Sequence, residues 1–259
     1  MVSCGVGKAV LQFLMGSCLV ILPSYNSGDQ LPLTMRAARM FCHPVWAVVD
    51  GSTDGSAEAA RNLGGDGYRV IALEKNSGKG GAVLAAFREA VHGGFSHAIV
   101  MDADGQHAAD AIPRFLELSA KNPGHLIAGV PIFGSDAPSE RVNGRRIGNF
   151  FACVETGWLG AADSLFGFRL YPLRPALKIL ESTTSGRRFD FDTVLAVRLL
   201  WAGVPVINVP VPVRYPARAE GGVTHFRYVR DNLLLTSVHV RLCLEMLLHI
   251  PRLLSLRCQ

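Results

Sequence analysis

A chain of 259 residues with 49% hydrophobic and only 18% charged residues can form one large α/β domain or two small ones, and is too apolar to be disordered. Its six scattered cysteines contain no Cys-x-x-Cys pair, which argues against a zinc site or a disulfide framework and fits reduced thiols in a cytosolic compartment. A formal charge of +5 suits an anionic ligand or an anionic membrane surface without selecting either, and no nucleic-acid partner is expected.

At the N-terminus Lys8 precedes the apolar run Val10–Leu22, which imitates a secretion signal. Pro23-Ser24-Tyr25-Asn26 follows where a small-residue cleavage site would stand, so Leu19–Leu22 reads as a buried first strand after an extension over residues 1–18. Further strands are expected at Val45–Val49, Arg69–Leu73 and His97–Met101. Helical spacing separates them at Gln30–Phe41, Ser56–Leu63 and Gly81–Val91. This alternation implies parallel strands joined by right-handed crossovers, with ligands taken beyond the carboxyl ends of the strands. Three polar clusters stand at those ends: Ser24-Tyr25-Asn26, Asp50–Asp54 and Asp102-Ala103-Asp104.

After Asp104 the alternation loosens. Asp110–Lys121 reads as a helix, Leu126–Val130 as a strand, Gly134–Arg145 as a polar loop and Arg146–Leu159 as a helix. Leu165–Tyr171 reads as a strand, Phe191–Trp201 as a helix and Val206–Val209 as a short strand closed by Pro210. No stretch of 18 uncharged apolar residues is present. Leu233–Ile250 comes nearest but is interrupted by His239, Arg241, Glu245 and His249. With Arg227, Arg230, Arg252 and Arg257, residues 225–259 read as a basic amphipathic tail lying on a membrane surface, or else as a helix packed on the domain's own core.

Each cluster suggests chemistry. Asp102 and Asp104, one residue apart beyond a buried strand, can turn into one pocket and hold a hard divalent cation through oxygen; an Asp-rich turn built on Gly105 is the alternative. Asp50 can accept hydrogen bonds from a nucleoside, leaving Asp54 or Ser52 to cap the next helix. Asn76–Gly81 opens a helix, where amides and Lys79 suit an anion, but the spacing is not that of a P-loop and no Gly-x-Gly-x-x-Gly follows the first strand. Asp163 reads as a general base or as a group that orients the acceptor, and Arg169 as a phosphate-gripping fork, with an internal Asp163–Arg169 pair as the alternative. Asp190 and Asp192 share one cleft if their segment is extended, and one of them caps a helix if it is not.

Taken in order, Val20–Asn26, Val48–Ser56, Asn76–Gly80, Met101–His107 and Asp163 with Gly167-Phe168-Arg169 resemble the inverting family 2 glycosyltransferases, over about residues 19 to 215. Asp-Gly-Gln-His and Gly-Phe-Arg lean toward the dolichyl- and polyprenyl-phosphate sugar transferases. The resemblance implies a GT-A fold: a Rossmann-like, mostly parallel α/β sheet flanked by helices over 19–224, followed by the helical tail at 225–259. It implies a nucleotide-sugar donor (UDP- or GDP-sugar), a lipid or polyprenyl-phosphate acceptor, and a place on the cytoplasmic face of the membrane. Pro23, Tyr25, Asn26 and Asp50 would line the nucleoside pocket, with Lys79, Asp102, Arg141, Arg145 and Arg146 toward the phosphates. Asp102, Asp104 and Gln106 would hold Mg2+ or Mn2+. Arg169 would meet the acceptor, and Asp163, Asp192 or Asp190 would be catalytic. Two positions depart from the pattern: Val49 stands where many members have an aspartate and Val194 where many have a glutamate. A nucleotidyltransferase on a related sheet and a nucleotide-sugar-binding protein without turnover are the competing readings.

Overall fold

The structure is a computed structural model describing residues 17–133, 139–160, 163–213 and 228–257. Residues 1–16 of the expected N-terminal extension, and Arg227 of the tail, lie outside it.

Seven strands form one sheet: β1 (Cys18–Ser24), β2 (Val45–Asp50), β3 (Tyr68–Leu73), β4 (His97–Val100), β5 (Leu126–Ile132), β6 (Arg169–Pro172) and β7 (Val206–Pro212), in the order β3-β2-β1-β4-β6-β5-β7. β6 alone runs against its neighbours β4 and β5; the other pairings are parallel. The expected mostly parallel sheet is therefore present.

Helices cover both faces, so the central strands read as unbroken apolar runs rather than alternating ones. In β1, Val20 and Leu22 enter one core with α1 (Gln30–Arg39), α2 (Ser56–Arg61) and α4 (Ile112–Lys121). Leu19 and Ile21 enter a second with α3 (Lys79–His92), α6 (Leu173–Glu181) and α7 (Phe191–Trp201). α3 shows how spacing becomes packing: Ala82, Ala86 and Ala90, with Val83 and Phe87, recur at helical intervals and are all buried. At one edge, half-buried β3 is shielded by Arg69, whose guanidinium lies 4.6 Å over the Trp46 ring. At the other, Pro210 and Pro212 sit in β7, where among the described residues no further strand needs their missing N–H.

Three stretches differ from the sequence expectation. Ser139–Arg145 is not loop but the start of α5 (Ser139–Glu155); the breakers Gly134 and Pro138 both precede it. The strand expected from Leu165 begins only at Arg169, because the Asp163 carboxylate takes the Leu165 and Phe166 N–H groups and keeps that backbone out of the ladder. The unanticipated α6 spans residues where Pro172 and Pro175 look like punctuation; Pro175 stands in the first turn, whose N–H groups need no helical partner.

The tail consists of α8 (Tyr228–Met246), a 3-10 turn at Leu247–His249 and α9 (Ile250–Arg257). Val238, Leu242 and Leu253 pack with Val194, Val197 and Trp201 of α7, so one side of the tail belongs to the core. Polar contacts fix the same side: Arg198 meets Glu245 at 2.6 Å and His239 meets Glu155 at 2.7 Å. Leu234–Arg257 is also long and apolar enough to cross a membrane, by length and composition alone.

Candidate active site

The strand order reverses between β1 and β4, and open α/β sheets take ligands at the carboxyl ends beside such a reversal. The loop leaving β1 passes Pro23 and exposed Tyr25 to Asn26, whose φ of 49° is left-handed. Asn26 donates its N–H to Ser52 Oγ (3.0 Å) and accepts the Thr53 N–H on Oδ1 (2.9 Å), tying the loops after β1 and β2 together. Asp54, rather than Ser52, meets the start of α2, accepting the Ser56 N–H (3.1 Å) and Oγ–H (2.6 Å).

Asp50 is 2% exposed and does not offer a free carboxylate to a nucleoside. Its Oδ1 accepts the Ser77 N–H and Oγ–H, both at 2.7 Å, and its Oδ2 accepts the Gly78 N–H at 2.8 Å. The expected ligand contact is thus an anchor for the Gly-rich run. That run in turn is not an open anion cradle. Gly80 and Gly81 donate their N–H groups to the Arg188 and Arg187 carbonyls (3.3 and 2.8 Å), and a Cβ on Gly80 would overlap the Gly186 carbonyl. The glycines allow two backbones to touch.

This docking aims Lys79 inward. Its Nζ lies 2.6 Å from Asp102 Oδ1 and 2.6 Å from Asp192 Oδ2. Burial works against the charge, but the two carboxylates outweigh it and raise the Lys79 pKa, so the ammonium persists. Ala103, buried in the core between Asp102 and Asp104, fixes the turn that carries them. Asp104 Oδ1 accepts the Gln106 N–H at 3.0 Å, and burial followed by repulsion from Asp102 pushes its pKa up to about 6.

His107, which ends the Asp-Gly-Gln-His motif, is structural to it. Its Nδ1 accepts the Asp102 N–H at 3.0 Å, which leaves the ring proton on Nε2, 3.7 Å from Asp102 Oδ2. Burial pushes its pKa down to about 4, so the ring is neutral; it stacks on Phe168 at 5.4 Å. Its place directly after Asp-Gly-Gln was the available signal.

Four expectations change around Asp163 and Asp190. Arg169 is wholly buried and cannot meet an acceptor: Nη2 donates to the Asp163 carbonyl (2.8 Å) and Nη1 to the Asp192 carbonyl. It bonds backbone rather than the Asp163 carboxylate, so the internal ion pair does not form either. Asp163 itself takes Arg145 Nη1 (2.8 Å), the Leu165 and Phe166 N–H groups and Asn149 Nδ2 (3.1 Å), which engages both oxygens and leaves it ill placed as a base. Asn149, unremarked in the sequence, also accepts the Ser164 N–H at 2.9 Å. Asp190 accepts the Gly186 and Arg188 N–H groups (3.0 and 3.1 Å), closing a turn before α7 instead of sharing a cleft with Asp192. The helix starting at Phe191 separates the two.

Among the expected catalytic carboxylates, Asp192 alone faces Lys79, and its Oδ1 is buried without a hydrogen-bond partner. Arg145 is committed to Asp163, Arg146 is exposed, and the Arg141 side chain lies outside the described residues. The site therefore sets one ammonium between Asp102 and Asp192 at the sheet's reversal, with Asp104 on the same turn as Asp102. Such an under-compensated oxygen set fits a hard divalent cation held by Asp102, Asp104 and Gln106. Among the described residues no three His, Cys, Asp or Glu side chains converge as a complete ligand set, so water and ligand oxygens would have to finish the coordination, as they commonly do for Mg2+.

Comparison with known proteins bears on this arrangement. The family described as "Glycosyl transferase family 2" matches residues 19–180. The chain is 30% identical over 201 residues to the polyprenol monophosphomannose synthase of Mycolicibacterium smegmatis, covering 74% of this chain and 76% of that protein. It is 30% identical over 200 residues to the undecaprenyl-phosphate mannosyltransferase of Micrococcus luteus, covering 74% and 82%. Among solved structures it resembles S. aureus TarS 1-349, crystallised with UDP-GlcNAc, with a TM-score of 0.53 and 13% identity; the match spans 87% of this chain and 66% of that one. That likeness is one of fold, and the fold is GT-A.

Proposed function

Because the chain belongs to glycosyl transferase family 2 and is a glycosyltransferase, we propose that it moves a sugar, with inversion, from a nucleotide-sugar donor to a polyprenyl phosphate at the membrane surface. The observation that carries the reading is the Asp102–Asp104 turn at the sheet reversal, with the Lys79 ammonium bridging Asp102 and Asp192. The donor's diphosphate approaches this turn, and the nucleoside lies toward Tyr25 and the loops tied by Asn26 and Asp50. A divalent cation on Asp102, Asp104 and Gln106 supplies Lewis-acid stabilisation of the leaving diphosphate.

A phosphate acceptor is favoured by what the carboxylates are doing. Asp163 and Asp190 are engaged with backbone and side-chain donors, and Asp192, the remaining candidate, is ion-paired to the Lys79 ammonium, which opposes its taking a proton. A hydroxyl acceptor needs a base near the operating pH. A phosphate oxygen is already ionised: its lone pair forms the bond to the anomeric carbon from the face opposite the donor oxygen. The bond to that oxygen breaks, and the electron pair leaves with the nucleoside diphosphate. Both relatives carry polyprenol or undecaprenyl-phosphate in their names.

The membrane contact is read from exposed apolar side chains on neighbouring helices. Ile147, Phe150 and Trp158 stand out on and just after α5, and Leu244, Leu248 and Leu254 on the tail that packs beside it. Trp158 is 61% and Leu248 82% exposed. Because the opposite side of the tail is tied to α7, this face lies along the cytoplasmic surface of the membrane and does not cross it.

The test is glycosyl transfer to undecaprenyl phosphate in anionic vesicles from a panel of UDP- and GDP-sugars, with Mn2+ or with chelator. Transfer from one donor that stops on chelation and in Asp102→Asn supports the whole reading. Equal rates to a free alcohol acceptor would remove the phosphate part, and rates indifferent to chelation would remove the metal part.

A further inference from the structure

We infer that Lys79 is a tethered counter-cation that occupies Asp102 in the metal-free enzyme and yields it to the divalent cation. This rests on the metal-dependent reading above and extends it to a residue expected only to bind donor phosphates.

The geometry is specific. Lys79 is the first residue of α3, and the backbone around it is pinned on both sides: Asp50 holds Ser77 and Gly78, and the Arg187 and Arg188 carbonyls hold Gly81 and Gly80. The side chain reaches from this fixed base to two carboxylates at 2.6 Å each. One is Asp102, of the turn that would bind the metal; the other, Asp192, lies 113 residues beyond Lys79 in the chain. Space for the ammonium is built in. A Cβ on Gly167 would lie 2.5 Å from Lys79 Nζ and 2.7 Å from Asp102 Oδ2, so a residue with any side chain there displaces one or the other.

Charge then decides the order of events. Without metal, Asp102 and Asp192 share one ammonium, and without Lys79 the buried Asp192 and the part-buried Asp102 would both lose their ion pair. A dication arriving at Asp102 meets a monocation already on Oδ1. The two repel at a few ångströms, so Lys79 leaves Asp102 and stays with Asp192, whose second oxygen, Oδ1, has no other hydrogen-bond partner. The ammonium moved onto Asp192 then stands beside the incoming diphosphate. Lys79 thereby lowers the affinity for metal alone and keeps the empty site folded.

The experiment is Mn2+ binding by electron paramagnetic resonance on the full chain without donor, with thermal unfolding alongside. Lys79→Met should bind Mn2+ about tenfold or more tightly than wild type, since a unit charge at this range is worth more than one decade even at high effective dielectric. Its lowered melting temperature should be raised by Mn2+ more than that of wild type. Lys79→Arg, which keeps the charge, should bind like wild type. If Lys79→Met does not fold, Asp192→Asn reports instead: with Lys79 left to Asp102 alone, Mn2+ affinity should fall, and an unchanged affinity overturns the inference. Equal or weaker Mn2+ binding by Lys79→Met, while Asp102→Asn abolishes binding, also overturns it and leaves the metal-dependent reading standing. If wild type and Asp102→Asn are alike in binding no Mn2+, that reading fails and this one with it.

Discussion

Arg169 carries a full charge into the core with no carboxylate on its guanidinium, and its role follows from that. It joins the carbonyls of Asp163 and Asp192, so it fixes the position of the site instead of touching a substrate. Arg169→Met should therefore cost about 3 kcal/mol of stability in denaturant titration, two buried carbonyls losing a charged donor. Any protein that survives should show no selective rise in acceptor KM, which a direct acceptor contact would require. Asp50→Asn should cost about 2 kcal/mol by the same measurement, because three short bonds lose their charge assistance. His97 titrates through burial. Its Nε2–H donates to the Pro123 carbonyl at 2.8 Å, and desolvation holds its pKa below the ordinary 6.5. The unfolded chain thus binds a proton that the folded one resists. Stability from this residue is complete above pH 6.5 and declines as pH falls below it, a slope that His97→Gln should flatten in pH-dependent unfolding. At this scale sequence motifs name the polar residues near the sheet's reversal but not the groups they bond. Asp50, Asp163, Asp190 and Arg169 are the polar residues a binding site would use, and also those that can bond buried backbone. Only the fold reveals which partners they meet.

At the scale of elements, the part of the chain up to Val100 is legible because hydrophobic period and strand length agree with the tertiary environment: β1 to β4 each start within a residue of where the apolar runs place them. Legibility falls after Asp104 because local signals there compete with long-range ones. The Asp163 carboxylate captures N–H groups that a strand from Leu165 would have used, and Pro175 marks a first turn rather than a break. The Gly-rich run shows the same competition: its amides look ready for an anion until the Arg187 and Arg188 carbonyls take them. Gly80→Ala tests that docking. Its Cβ has no space against the Gly186 carbonyl, so a loss of about 3 kcal/mol or more is expected in thermal unfolding, far above the small gain alanine brings to an open helix position.

For the molecule as a whole, sequence left two readings of the tail open, membrane-surface helix or core helix, and the structure gives the tail one side in the core and one side exposed. Leu242 and Leu253 are buried against α7 while Leu244 and Leu248 face outward. Replacing the outward pair, Leu244→Glu with Leu248→Glu, should reduce partitioning onto anionic vesicles about tenfold or more in a sedimentation assay. The melting temperature should scarcely move, surface changes costing within about 0.5 kcal/mol. The Lys79–Asp192 contact has a temporal consequence. Asp50, Ser77 and Gly78 are close in sequence, and their clamp can form early on the ribosome. Asp192 emerges roughly 5 to 20 s after Asp102 at ordinary synthesis rates. Throughout that interval the nascent chain holds the Asp102 turn and its lysine without the carboxylate that completes the trio, so a prematurely terminated product carries the sequence signature of the family but not its finished site.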